Sequence, residues 1–324
     1  MSVTAPPLLE IQDLRVSFPS PHGTVSAVRG VCIEIAPGEV VGVVGESGSG
    51  KSVTALSALD LVPRPGTVTD GRFIWRGEVL GEGGLRGLRG REISMIFQDP
   101  LSSLNPVVPV GRQISDVVRR HTGRSKTAAA ARAEELLARC GLPDARRCAA
   151  SYPFELSGGM AQRAMVAMAL ASEPALLIAD EPTSALDVTV QAQVLDLLLE
   201  VRDSMGVAIL LITHDLGVVA AVCDRVAVMY GGTVVESGKV REILARPRHP
   251  YTAGLLASSP RLDRPLSGFT RIAGAMVPAA SAGCVFAGRC DRSTEGCIVD
   301  IPPLVVDGST TVACWHPLNT KAKP

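Results

Sequence analysis

The segment Gly45-Glu46-Ser47-Gly48-Ser49-Gly50-Lys51-Ser52 constrains this chain more than any other. It has the form G-x-x-x-x-G-K-S, with an apolar run, Val40–Val44, before it and a helical pattern over 52–61 after it. A strand, a glycine-rich turn and a helix in that order make a cradle for phosphate. Gly45, Gly48 and Gly50, with the small Ser47 and Ser49 among them, let backbone N–H groups converge on an anion without side-chain clashes. Lys51 supplies a point charge for the β- and γ-phosphates, Ser52 a hydroxyl for Mg²⁺, and the helix N-terminus faces the anion. Such a loop calls for an α/β core.

The rest of the chain supplies one. The runs 175–179 and 208–212 read, like 40–44, as strands buried on both faces, as in a parallel sheet. Arg225–Tyr230 and 233–236 read as later strands around Gly231-Gly232. Helical spacing marks 127–140, stopped by Gly141 and Pro143, and Val188–Met205, ending at Gly206. The glycine-rich stretch 81–90 reads as a loop, since no buried strand leads into it. Residues 105–152 are helical by pattern and interrupt the α/β order, as part of an inserted helical subdomain of about 99–155. Beyond Arg246 prolines punctuate the chain, among them Pro260, Pro265 and Pro278, and cysteines gather. A boundary therefore falls near residue 255, between a core of 1–255 and a small extension of 256–324.

Two acids end the second of these strands. Asp180 at the strand tip suits Mg²⁺, directly or through water, and Glu181 is placed to orient or deprotonate an attacking water. His214 follows the third strand, where ligands of such sheets bind, and suits a γ-phosphate contact.

Lys+Arg and Asp+Glu both number 32, and this balance argues against nucleic acid as a partner. Aromatics, at 3%, are too few for base-stacking platforms. The longest apolar stretches, 164–178 and 207–222, are broken by Glu173 and by His214 and Asp215, so no membrane span is expected. The first ten residues lack the basic and apolar regions of a secretory signal, and a cytosolic location follows. Disulfides are not expected there. Cys32, Cys140, Cys148 and Cys223 sit among apolar neighbours and read as small core residues. Cys284, Cys290, Cys297 and Cys314, spaced C-x5-C-x6-C-x16-C, read as metal ligands, with His316 exposed beside them. Spacing alone does not choose between zinc and a [4Fe–4S] cluster.

Leu156-Ser157-Gly158-Gly159-Met160 resembles the signature sequence of ATP-binding cassette (ABC) ATPases. Gln98 resembles that family's Q-loop, Ser184-Ala185-Leu186-Asp187 its D-loop, and Thr213-His214-Asp215 its switch histidine. Phe18 stands where an aromatic usually stacks on adenine. Met160 and Ala161 depart from residues common in the family, but the Ser-Gly-Gly core remains. Ser157 also reads as an ordinary helix N-cap. The resemblance implies that Ser52, Gln98 and Asp180 hold Mg²⁺ with ATP, and that Glu181 is the base. Asp187 joins the nucleotide-binding set. It implies too that Ser157, Gly158 and Gly159 act on the nucleotide of a second cassette.

The segment Arg246-Pro247-Arg248-His249-Pro250-Tyr251-Thr252, with Leu255-Leu256, resembles the junction found in oligopeptide/dipeptide importer ATPases. His249 and Tyr251 read locally as solvated residues at a helix start. The resemblance implies an ATPase, peripheral on the cytoplasmic face of the membrane, that energises import of di- and oligopeptides. Nickel chelates or glutathione, or a soluble non-transport role, are its alternatives. It implies two transmembrane permease subunits as partners, one coupling helix of which sits in a groove of 99–152. It further implies a second ABC ATPase, a sister chain, and an extracytoplasmic solute-binding protein. The cysteines would then hold a [4Fe–4S] cluster, with Zn²⁺ as the alternative.

Overall fold

Apolar residues facing inward build β1 (Leu9–Ser20) and β2 (Gly23–Ile35), an antiparallel pair at the start of the chain. The computed structural model describes residues 6–21, 23–81, 83–184, 186–258 and 282–318. Ala185, Pro260, Pro265 and Pro278 lie outside them. The described residues form two compact units, one of residues up to Ile35, Val40–Leu80 and Thr213 onward, the other of Ala36–Glu39 and Gly81–Ile212.

In the first unit, β3 (Val40–Val44) is buried throughout, and α1 (Lys51–Ser57) starts after the glycine-rich loop. β4 (Thr67–Trp75) pairs with β1, and β5 (Glu78–Val79) with β4, giving a sheet in the order β2-β1-β4-β5. Cys32 belongs to this sheet and is exposed, which corrects its reading as a core residue. Its neighbours Val31 and Ile33 point inward, so the period-2 alternation of the strand turns Cys32 outward.

The second unit opens with α2 (Gly84–Leu88), β6 (Ile93–Ile96) and α3 (Pro100–Ser103). A helix at 84–88 corrects the reading of 81–90 as a loop. Leu85 and Leu88 are half-buried one turn apart, and Gly83 enters at φ 75°, too short a pattern to stand out among glycines. Helices α4 (Val110–Thr122), α5 (Lys126–Arg139) and α6 (Ala145–Ala150) follow. Ile114, Val118, Ala133, Leu136 and Leu137 bury the apolar faces of the first two, and Cys140 and Cys148 are buried as the sequence suggests. A 3-10 turn at Pro153–Glu155 leads to α7 (Gly158–Ala169). The strands β6, β7 (Leu176–Asp180) and β8 (Ala208–Thr213) lie parallel, with α8 (Val188–Met205) between the last two in sequence. Gly206 ends α8 at φ 67°.

The first unit resumes with α9 (Leu216–Val222), β9 (Arg225–Tyr230), β10 (Thr233–Lys239), α10 (Val240–Ala245) and α11 (Pro250–Ser258). After residue 281 come α12 (Glu295–Val299), β11 (Val305–Asp307) and β12 (Thr310–Val312). β9 runs parallel to β3, β10 antiparallel to β9, and β12 joins the free side of β10. The last described residues therefore extend the sheet that carries the phosphate loop. Tyr230, Tyr251 and Phe286 meet in one core with Val44, Val228 and Ile243. His249 and Tyr251 are 1% and 0% exposed, which overturns their reading as solvated. Ring centroids of Tyr230 and Tyr251 lie 4.7 Å apart, and those of Tyr251 and Phe286 5.5 Å, so aromatic packing draws this segment inward. Among the described residues no helix is long and apolar enough to cross a membrane.

Candidate functional site

The phosphate loop leaves β3 at its carboxyl end and turns at Gly45. A Cβ there would lie 2.1 Å from the Met229 carbonyl oxygen, so only glycine fits. Gly50, at φ +98°, would set a Cβ 2.5 Å from the Ala27 carbonyl oxygen. Lys51 is buried, and its Nζ donates to the carbonyls of Gly45 at 2.8 Å and Glu46 at 3.0 Å. The ammonium thus spans the loop from inside. Ser47 and Gly48 are open to solvent, while the buried Ser49 hydroxyl has no hydrogen-bond partner among the described residues. Phe18 is half-buried, with Gly66 so near that a Cβ there would lie 2.3 Å from the ring. His214 is exposed at the end of β8. The next residue, Asp215, donates its N–H to Thr213 Oγ1 at 3.0 Å and caps α9 by accepting from Gly217 N–H at 2.7 Å.

In the second unit Asp180 closes β7 and is buried. Glu181 follows at φ 46°, a left-handed conformation that strains the backbone of a non-glycine residue. Its N–H donates to Ile212 O at 2.9 Å, and its Oε2 accepts from Gln98 Nε2 at 3.2 Å. The tips of β6 and β7 therefore bring together Gln98 and Glu181. Ser157 caps α7, accepting from Met160 N–H at 3.4 Å, and both Ser157 and Gly158 are exposed. The start of this twelve-residue helix, with Gly159 in its first turn, presents free N–H groups to an anion. Asp187 caps α8, its Oδ1 accepting from Thr189 and Val190 N–H at 3.0 Å each.

Cys284, Cys290, Cys297 and Cys314 line one small pocket, with His249, Phe286 and His316. Burial pushes the Cys284, Cys290 and Cys314 thiols up, and neighbouring cysteines of the cavity push the same way. His316 is exposed, bonded through Nε2 to Thr294 Oγ1 at 2.9 Å. His249 Nδ1 accepts from Tyr251 N–H at 3.0 Å, while its buried Nε2 has no hydrogen-bond partner among the described residues. Among the described residues no group of three or more His, Cys, Asp or Glu is placed to hold a metal ion.

Sequence reasoning missed one part of this neighbourhood. Arg289, from the extension, pairs with Glu46 of the phosphate loop at 2.7 Å, and Tyr251 Oη accepts from Glu46 N–H at 2.9 Å. No spacing rule links positions so far apart. The only hint was the acidic residue itself, a carboxylate inside a loop built for anions.

Residues 28–184 match the family described as ABC transporter, and 235–297 match the oligopeptide/dipeptide transporter C-terminal region. A putative peptide import ATP-binding protein of Brucella melitensis biotype 1 is 49% identical over 316 residues, 92% of this chain and 93% of its own. The dipeptide transport ATP-binding protein DppD of Bacillus subtilis (strain 168) is 47% identical over 315 residues, 95% of this chain and 94% of its own. Among solved structures, the ATP-binding cassette MJ0796, in a dimeric post-hydrolysis state bound to ADP and Pi, is similar at a TM-score of 0.64 and 27% identity, over 72% of this chain and 99% of that one. With the phosphate loop, the acidic strand end and the C-terminal region all matched along nearly its whole length, the chain belongs to the ABC transporter ATP-binding proteins, in their oligopeptide/dipeptide branch.

Proposed function

We propose that this chain is the ATP-hydrolysing subunit of an importer that carries peptides across the cytoplasmic membrane. The observation that carries the reading is identity of 47% to 49% with peptide and dipeptide import ATP-binding proteins, extension included. Lys51 exchanges its carbonyl contacts for the β- and γ-phosphates, and the loop N–H groups wrap the same anion. Phe18 stacks on the adenine. Ser52, Gln98 and Asp180 are the residues that would hold Mg²⁺, which when bound would offset negative charge on the γ-phosphate. Glu181 takes the proton of the attacking water, oriented by its hydrogen bond with Gln98, and His214 contacts the γ-phosphate. Ser157, Gly158 and Gly159 cover the nucleotide of a second cassette, a sister chain, and Asp187 lies beside them in the D-loop.

The subunit sits on the cytoplasmic face against two permease subunits, fed by an extracytoplasmic solute-binding protein. Exposed apolar residues of the second unit support a permease contact there: Val107 is 77% and Phe154 71% exposed, with Leu101 and Tyr152 also open. Phe154 stacks on Tyr152 at 5.6 Å between centroids, a preformed apolar ledge. Cys284, Cys290, Cys297 and Cys314 would hold a [4Fe–4S] cluster, which would staple the extension together. Support comes from the four cysteines lining one cavity.

Glu181→Gln tests the hydrolytic assignment. The variant keeps MgATP affinity and loses turnover by roughly a hundredfold or more. Steady-state hydrolysis at the wild-type rate would remove Glu181 as the base.

A further inference from the structure

The phosphate loop carries one acidic residue, Glu46, and besides the loop's own Ser49 N–H, which donates to its carbonyl at 3.2 Å, three side chains hold it. Its N–H donates to Tyr251 Oη at 2.9 Å, and its carbonyl accepts from Lys51 Nζ at 3.0 Å. Its carboxylate accepts from Arg289 in a fork, Nη1 to Oε2 at 2.7 Å and Nη2 to Oε1 at 3.2 Å. Arg289 is itself fixed. Nη1 also donates to Tyr230 Oη at 3.2 Å, and the guanidinium lies 5.6 Å from the Tyr230 ring centroid. Its side chain is 8% exposed and that of Glu46 28%, so solvent screens the pair only in part.

A carboxylate beside a polyphosphate site opposes binding by like-charge repulsion, and the repulsion grows as water is excluded. The bidentate pair cancels that charge and fixes the carboxylate's direction. Arg289 has no role of its own in the loop motif. It reaches the loop from the 3-10 turn Ala287–Arg289, between Cys284 and Cys290 of the cysteine cavity. We propose that Arg289 is a positioning residue of the nucleotide site, supplied by the extension to neutralise Glu46, so that the loop accepts MgATP fully only when the cysteine-bearing segment is docked. This rests on the reading of the loop as the ATP site.

The test is equilibrium binding of a fluorescent ATP analogue with Mg²⁺ to the purified full chain, at low and high salt. Arg289→Gln weakens binding roughly tenfold at low salt, and the deficit shrinks as salt screens the bare carboxylate. Arg289→Lys, which keeps the charge without the fork, stays within about threefold of wild type. Glu46→Gln tightens binding, because Arg289 is left as an uncompensated cation. The double variant Glu46→Gln, Arg289→Gln returns to within about threefold of wild type, a rescue that a residue needed only for folding would not give. Wild-type affinity in Arg289→Gln, or a double variant as weak as Arg289→Gln, overturns the inference. Should Arg289→Gln fail to fold, Glu46→Gln decides: weaker binding than wild type overturns it, tighter binding upholds it. Lys51→Ala guards the underlying reading. Wild-type affinity there would overturn the loop as the ATP site, whereas the Arg289 outcomes bear on the inference alone.

Discussion

Glu181 stands at φ 46°, with its N–H bound to Ile212 O and its carboxylate to Gln98. A left-handed glutamate costs on the order of 1–3 kcal/mol, which the surrounding sheet must offset. The backbone strain and the proposed base sit in one residue, and two substitutions separate them. Glu181→Gly relieves the strain and removes the carboxylate, whereas Glu181→Gln removes the carboxylate with the strain intact. The glycine variant is expected to be more stable than the glutamine variant by about 1 kcal/mol in chemical denaturation. Equal stability would mean that the fold holds this conformation without strain. The Gln98 hydrogen bond adds a second constraint, since a side chain held at both backbone and carboxylate has few orientations left.

At the scale of elements, α8 begins at Asp187, whose carboxylate accepts two N–H groups of the first turn. Asp187→Ala should destabilise the chain by about 1 kcal/mol, and Asp187→Asn, which still caps, by a few tenths. Thermal melting without nucleotide reads this difference. A loss as large for Asn as for Ala would show that charge, not capping, is what the position needs. The same helix shows why part of the fold was readable in advance. Its apolar spacing and Gly206 set both ends, and β3 and β9 announced themselves as uninterrupted apolar runs. β1 did not. Its buried residues are Leu9, Ile11, Leu14 and Val16, and the phase slips where Asp13 takes φ 48° and the register with β2 shifts. A bulge of this kind erases the period-2 signal while leaving the strand intact. The phosphate loop, the acidic strand tip and the signature helix were readable because each is a local motif. The burial of His249 and Tyr251 was not, because Tyr230 and Phe286, which cover them, come from distant segments.

The molecule as a whole carries a pH dependence rooted in that covered segment. Burial holds His249 well below the ordinary histidine value of 6.5, at about 4, so it stays neutral in the fold. The unfolded chain binds its proton near 6.5, so stability is lost as pH falls from there towards 4, by about 3 kcal/mol at most. Glu236 faces the same helix start and works the other way. Its buried carboxylate accepts from Arg248 N–H at 2.7 Å and His249 N–H at 3.0 Å, and burial raises it above the usual carboxylate range. It takes up a proton more readily folded than unfolded, which favours the fold as pH falls. The histidine contribution is isolated by comparing wild type with His249→Gln: the stability gap between them should narrow or reverse from pH 7 to pH 4.5. A gap independent of pH would refute the buried neutral histidine.

The ion pair between Glu46 and Arg289 joins positions 243 residues apart. A ribosome adding about 5–20 residues each second makes the glutamate long before the arginine, with a delay of roughly 10–50 s. Through that interval the nascent loop exists with its strand, its glycines and its lysine, but without its cation from the far end. The sheet is in the same position, since β10 waits for β12. Maturation of the nucleotide pocket is therefore a late event in biosynthesis. A chain cut short ahead of Arg289 would leave the ribosome with its phosphate motif written in full and its counter-charge missing.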